Sequence, residues 1–438
     1  MRIPESTKSW SRRGVLGMVA GLPLVARAAD MPALARGLGG YISDQPHDFT
    51  LSNATVLDHS GRLQKGVGVR VESGVVVEIG AAVRGGTDLG GDWLVPGFTD
   101  GCSHLGLFEI GAESSTRDDQ DKPAITPDAR ASDGYNPLSA PVAVTRMAGI
   151  THSVVCPTMS RLVAGQAALV RTAGHTLQAA VVREPVALCV SMGRDGLGGD
   201  GAPSTRIGVG RALREWMAQA PEPRSDEPRG RRGRQAPSDD DSELSPADRI
   251  TRSLRERRLK VLVTVERADD IERALDWLVS TKLDGVLVGC AEGWMVADLL
   301  ADAGLPVVVG PLMVQPDSFD HPHARYDNAA VLHAAGVPIA FGSRMNHMAR
   351  GLRTDAGVLV AHGLPWEAAI RALTTGAAEA LSIPGLGRLE PGSSASFFRA
   401  TGDPLQPRTR VASVWIDGRE TAMRSRQTEL YERFRTLQ

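Results

Sequence analysis

Apolar residues between Phe49 and Val83 fall at Leu51, Ala54 and Val56, then at Val67, Val69, Val71, Val75, Val77 and Ile79. Successive side chains of a strand point to opposite faces, so this near-alternation predicts a small antiparallel sheet whose turns take the Gly, Asn and Asp positions. Short strands of the same kind are predicted at 387–392 and 411–419, the latter with an Asp417-Gly418 turn. Two β-segments near opposite ends of the chain, 47–92 and 386–422, imply one composite β-domain, a small β-sandwich built from both.

Between 259 and 376 the period changes. An apolar run at 259–265 has strand length, and the helix expected after it places Ile271, Ala274, Leu275 and Leu278 on one face, with Asp269 and Asp270 favourably placed in its first turn. The unit then repeats: strands at 285–289, 306–310 and 337–341 alternate with helices at 293–303, 326–335 and 355–362. Successive β-then-α units require parallel strands joined by right-handed crossovers. With further strands at 93–98, 150–156 and 186–191, the pattern fits an α/β fold, a closed (β/α)8 TIM-like barrel over 93–385, better than an open sheet.

Two segments fall outside this rhythm. Residues 220–248 carry Pro, Gly, Arg and Asp with almost no apolar side chains, which predicts a disordered insertion within the barrel whose basic block, 229–234, is followed by an acidic one, 239–243. At the start, Arg12-Arg13 precede an apolar run over 15–26, and Ala26-Arg27-Ala28 offers a small-x-small cleavage site. That order reads as a twin-arginine signal peptide over 1–28, whose removal leaves a soluble periplasmic protein.

Charge and cysteine content narrow the partners. The 49 basic side chains nearly cancel the 51 acidic ones, so the overall field attracts neither nucleic acid nor acidic lipid, and a small-molecule ligand is the expected partner. Cys102, Cys156, Cys189 and Cys290 each sit in or beside an apolar run and read first as buried thiols. Neither a Gly-x-Ser-x-Gly, nor a Walker, nor a Rossmann fingerprint occurs in a supporting strand–helix context.

In such a barrel, chemistry sits at the C-terminal ends of the strands. The first of these carries Leu94-Val95-Pro96-Gly97-Phe98-Thr99-Asp100-Gly101-Cys102-Ser103-His104. It resembles the strand-one signature of the amidohydrolase superfamily, a Pro-Gly, an Asp, then a His-x-His pair that binds a divalent metal. Val144-Thr145-Arg146-Met147-Ala148-Gly149-Ile150-Thr151, Ala324-Arg325-Tyr326-Asp327-Asn328-Ala329 and Leu389-Glu390-Pro391-Gly392 extend the likeness over nearly the whole chain after residue 28 and are most similar to the imidazolonepropionase-like branch. The resemblance implies hydrolysis of carbon–nitrogen bonds, of the amide or cyclic amide kind, at a bound divalent metal.

The residues at the implied ligand positions have changed. Of the His-x-His pair only His104 remains, its partner being Cys102; the fifth strand has Thr264 and Glu266 where histidine is expected; the sixth ends in Gly289-Cys290; and the eighth places Arg344 where the family has an aspartate that binds metal and takes a proton from water. An arginine is no general base at neutral pH and repels a divalent cation. Three readings stay open. A rebuilt zinc site uses Cys102, His104, Glu266 and Cys290; or Arg344 replaces the metal's charge, pairs with Glu266 and leaves a metal-free pocket for an anion or small polar ligand; or the chain is a pseudoenzyme, a non-catalytic subunit of a homo-oligomer or of a hetero-oligomer with an active paralogue. Asn346 and His347 follow strand eight and are further pocket candidates. His321 and His323 read as exposed loop histidines, and His152 and Cys156 as core.

Overall fold

The computed structural model describes residues 40–42, 45–223, 243–312, 314 and 320–435. The predicted signal peptide (1–28) and the central part of the predicted insertion (224–242 of 220–248) lie outside the described residues. Among those described, no helix is long and apolar enough to cross a membrane.

The chain first lays down β1 (Phe49–Leu57), β2 (Leu63–Glu72), β3 (Val75–Gly80), β4 (Thr87–Asp88) and β5 (Trp93–Pro96). It then builds the barrel from β6 (Phe98–Ser103), β7 (Ile150–Val155), β8 (Val163–Arg171), β9 (Val181–Ser191), β10 (Lys260–Val265), β11 (Gly285–Gly289), β12 (Val307–Val309) and β13 (Ile339–Phe341). Finally β14 (Phe397–Ala400), β15 (Val411–Ile416) and β16 (Arg419–Glu420) return to the first sheet, giving the order β16-β15-β14-β5-β1-β2-β3 with β4 beside β1. The composite β-domain and the eight-stranded α/β barrel expected from the sequence are both present.

The composite sheet folds back on itself around its inward positions. Leu51, Val69, Val71, Leu94 and Phe397 are buried together, and Phe49 stacks on Trp415 with ring centroids 6.0 Å apart, although β1 and β15 are separated by two strands. The segment Trp93–Pro96, which the sequence reading assigned to the barrel, belongs here: it pairs with both β1 and β14. The switch between sheets comes at Gly97. A Cβ there would lie 2.2 Å from Thr151 Oγ1, so only glycine lets the chain pass this close to β7.

Seven barrel strands run parallel; β8 pairs antiparallel with both β7 and β9. The short connection 156–162 cannot carry a crossover helix, so the chain reverses as a hairpin instead. From β10 onward the predicted β-then-α rhythm holds, and helix Ala268–Thr281 buries Ile271, Ala274, Leu275 and Leu278. Strand alternation separates two packed layers. On β10, Leu262 faces the barrel interior with Val154, Val288, Val308 and Ala340, while Val261, Val263 and Val265 face the helices.

Closure between the first and last barrel strands rests on hydrogen bonds beyond the ladder. Arg344 N–H donates to the Cys102 carbonyl (2.8 Å), and His104 N–H to that of Met345 (3.2 Å). Below them the fully buried carboxylate of Asp100 accepts from Ser343 N–H (2.9 Å) and Ser343 Oγ–H (2.5 Å). Burial outweighs these donors and lifts the Asp100 carboxyl to about 7. Between about pH 4 and 7 the folded chain therefore holds a proton that the unfolded chain has released, so stability should decline as pH rises through that window and level off above it. Asp100→Asn is expected to flatten this slope in urea denaturation across pH 4–8. An unchanged slope would place the proton elsewhere.

Candidate functional site

Strand parity brings the charged side chains to the C-terminal end of the barrel. Leu262 and Thr264 point inward, so Glu266, the next position of that parity, turns into the mouth as β10 ends. From beyond β13, Arg344 reaches it, held with φ +48° in the left-handed region. Arg344 Nη1 donates to Glu266 Oε1, and Nη2 donates to Asp195 Oδ2 at 3.2 Å. The Arg344 and Glu266 side chains retain only 14% and 17% exposure, so this is a largely desolvated pair. Glu266 Oε2 accepts a second hydrogen bond from Ala291 N–H (3.1 Å).

The electrostatics follow from that burial. Desolvation raises the Glu266 carboxyl above its ordinary value, against the opposing pull of Arg344. For Arg344 burial acts to lower the guanidinium, but Glu266 and Asp195 together hold it above its ordinary value. His104, also at the mouth, is lowered by burial, with Arg344 adding to the effect; its Nδ1 lies 2.9 Å from the Cys156 carbonyl oxygen. A neutral imidazole in that position donates from Nδ1 and leaves Nε2 as an acceptor.

Gly289 makes room for this arrangement. With φ +93°, its missing Cβ would stand 2.6 Å from Glu266 Oε1 and 2.7 Å from Oε2. Gly289→Ala should cost about 1–2 kcal/mol in backbone conformation and displace the carboxylate from Arg344 in addition. Gly304→Ala, at φ +62° with nothing within 4 Å, serves as the comparison. A larger loss of denaturation midpoint at 289 than at 304 is the expected result; equal losses would mean that Glu266 has room to spare.

The other sequence candidates divide. Cys102 is buried in the barrel interior with its sulfur 3.4 Å from that of Cys156, beneath the mouth rather than in it. The Cys156 contact and burial both push its thiol up. Cys290 corrects the expectation that it reaches the mouth. Positive φ at both Gly289 and Cys290 breaks the strand alternation, and the thiol packs into the outer, helix-facing layer. Asn346 and His347 do not line the mouth either. Asn346 Oδ1 accepts from Gly106 N–H (3.2 Å) and its amide donates to the Phe108 carbonyl, while His347 Nε2 lies 2.6 Å from the Glu109 carbonyl oxygen; both tie the loop after β6 to the loop after β13. His152 is buried on β7, as expected of core.

The mouth is a cavity of about 480 Å³, lined also by Thr158, Met159, Arg194, Asp195, Asp320 and His321. Asp195 is not among the candidates expected from the sequence, although it lies in the turn just beyond β9, where a barrel places its chemistry; His321, expected as an exposed loop residue, lines the rim instead. The donor set does not suit a catalytic metal. One thiol lies below the cavity, the other faces the helices, and a guanidinium occupies Glu266. Among the described residues no three His, Cys, Asp or Glu side chains are grouped to hold an ion.

The profile of the amidohydrolase family matches residues 315–421. An amidohydrolase from Thermotoga maritima is 25% identical and superposes with a TM-score of 0.76 over 85% of this chain and 98% of its own. The chain belongs to the amidohydrolase superfamily. Two further structures share the fold at lower identity: a prolidase complexed with N-methylphosphonate-L-proline (17% identity, TM-score 0.53, 85% of this chain and 98% of that one), and a zinc-bound adenosine deaminase from Xanthomonas campestris (16%, 0.50, 90% and 98%). A search of curated protein sequences gave no significant match. Within this amidohydrolase-superfamily barrel, the Arg344–Glu266–Asp195 cluster stands at the end of the barrel where the fold places its chemistry.

Proposed function

We propose that this amidohydrolase-superfamily protein, of the imidazolonepropionase-like branch, has lost metal-dependent carbon–nitrogen bond hydrolysis and uses the barrel mouth to bind a small polar ligand. The observation that carries this reading is the Arg344 guanidinium seated on Glu266 and Asp195. A divalent cation on Glu266 would have to displace that guanidinium and then sit beside it, and its remaining ligands would have to come from His104 alone among the proposed set. A rebuilt Cys/His/Glu zinc site is disfavoured by the same geometry, since Cys102 and Cys290 lie on opposite sides of the strand layer.

No step of the family's hydrolysis is assigned to these residues. Arg344 fixes Glu266, and Gly289 leaves space for it. Arg194 at the rim, with His104 Nε2 within, offers polar contacts of the kind a small ligand needs. The paired arginines at 12–13 and the apolar run after them support delivery of this binding protein to the periplasm by the twin-arginine route. Zinc content after exhaustive dialysis tests the proposal. Far less than one equivalent per chain is expected, and one retained equivalent would overturn it.

A further inference from the structure

Behind Glu266 lies a second, smaller cavity of about 40 Å³, between the ends of β11–β13 and the helices Asn328–Ala334 and Leu352–Ala361. Its walls are apolar: Val309, Leu312, Phe341, Leu352 and Leu359. Glu266, Ala291 and Pro311 line both this space and the mouth, so the two adjoin across the Glu266 side chain.

The polar groups around this cavity are satisfied within the chain, with one exception. Glu266 is bonded to Arg344 and to Ala291 N–H. Asn328 accepts from Trp294 N–H (2.8 Å) and donates to the Cys290 carbonyl (2.9 Å). Arg325 is paired through two nitrogens with Asp327 and lies over the Trp294 ring, 4.3 Å from its centroid. Asp355 has no hydrogen-bond or ion-pair partner among the described residues, and burial alone lifts its carboxyl to about 6. Asp355 is half-buried, so water reaches its carboxylate, and against apolar walls a donor or cation in the cavity can take the place of that water.

We propose that the small cavity is a subsite for an alkylammonium group, with the ammonium on Asp355, a short carbon stem along Leu352, Leu359 and Phe341, and the remainder of the ligand in the mouth. An ammonium brings three donors and the opposite charge, while the stem matches the walls. An anionic group would be repelled by Asp355 and Glu266 together, and a neutral group of the same shape leaves the charge of Asp355 unmatched. The volume limits the stem to a few carbons. The subsite deepens the reading of the mouth as a ligand-binding site and depends on it only through their shared wall.

Calorimetric titration with propylammonium, and with propan-1-ol as the neutral counterpart, tests this on the full chain and on Asp355→Asn. The exposed Asp298→Asn serves as control. Saturable propylammonium binding is expected in the wild type and in Asp298→Asn, at least tenfold weaker in Asp355→Asn and at least tenfold weaker for the alcohol. Asp355→Asn removes an unpaired charge and is expected to keep a thermal midpoint at or above that of the wild type, which separates lost binding from lost fold. Absence of saturable propylammonium binding to the wild type, equal binding of the alcohol, or equal binding to Asp355→Asn would overturn the subsite. Retained zinc would overturn the metal-free mouth while leaving Asp355-dependent binding intact, so the two readings fail separately.

Discussion

Arg344→Ala is expected to destabilise the protein by about 3–5 kcal/mol, the usual consequence of removing one partner from a largely buried ion pair. Glu266, with 17% of its side chain exposed, would keep only the Ala291 N–H, and Asp195 would lose its bond to the guanidinium. The effect has a predictable pH dependence. Arg344 pulls the Glu266 carboxyl down against the larger upward push of burial, so its loss raises that carboxyl further. A folded-state value above the unfolded one means that stability falls as pH rises between the two, so the deficit of the variant should be larger at pH 8 than at pH 5. Denaturant midpoints at both pH values measure it. A loss below about 1 kcal/mol, independent of pH, would correspond to an exposed pair and contradict the buried one described here.

Phe398→Ala should be as damaging, for a different reason. Phe398 is fully buried on β14 of the composite sheet, and its ring meets that of Phe98 on β6 edge to face with centroids 4.9 Å apart. It also fills the space above Gly149, where a Cβ would come within 2.9 Å of the ring. The contact joins the composite sheet to the first barrel strand, so truncation leaves a cavity at the junction and should cost about 3–5 kcal/mol. Phe398→Leu, which refills much of the volume, should cost roughly 1–1.5 kcal/mol. Equal, small losses for both in chemical denaturation would mean that the junction repacks freely.

The fold was legible where periodicity carries geometry. Period-two segments near both ends joined in one sheet, and the four β-then-α units from Lys260 onward formed consecutive parallel strands because each connection is long enough for a crossover. The exceptions have local causes. β8 was not among the strands expected from the sequence, because Val163–Arg171 interrupts its apolar positions with Gly165 and Gln166; the short 156–162 connection turns it back antiparallel to β7. The assignment of Trp93–Pro96 to the barrel failed at Gly97, where one close approach to Thr151 divides an apolar run between two sheets.

The site was legible by parity and obscured by exceptions to it. Inward Leu262 and Thr264 foretell inward Glu266, and the same count would have sent Cys290 into the mouth had Gly289 and Cys290 not taken positive φ. Asn346 and His347 sit at the right height after β13 but spend their polar atoms on backbone groups of the loop after β6. Asp195 carries a signal in the sequence: an acidic residue just beyond a strand end, in a turn with an arginine before it. Asp355 carried none, because its importance lies in the partners it lacks.

We propose that a guanidinium, and no metal, organises the barrel mouth. Crystals grown with excess zinc, with anomalous scattering collected at the zinc edge, test it most directly. Arg344 is expected to remain bonded to Glu266 and Asp195, with no anomalous peak in the cavity. A peak ligated by Glu266 and His104, with Arg344 swung away, would contradict it.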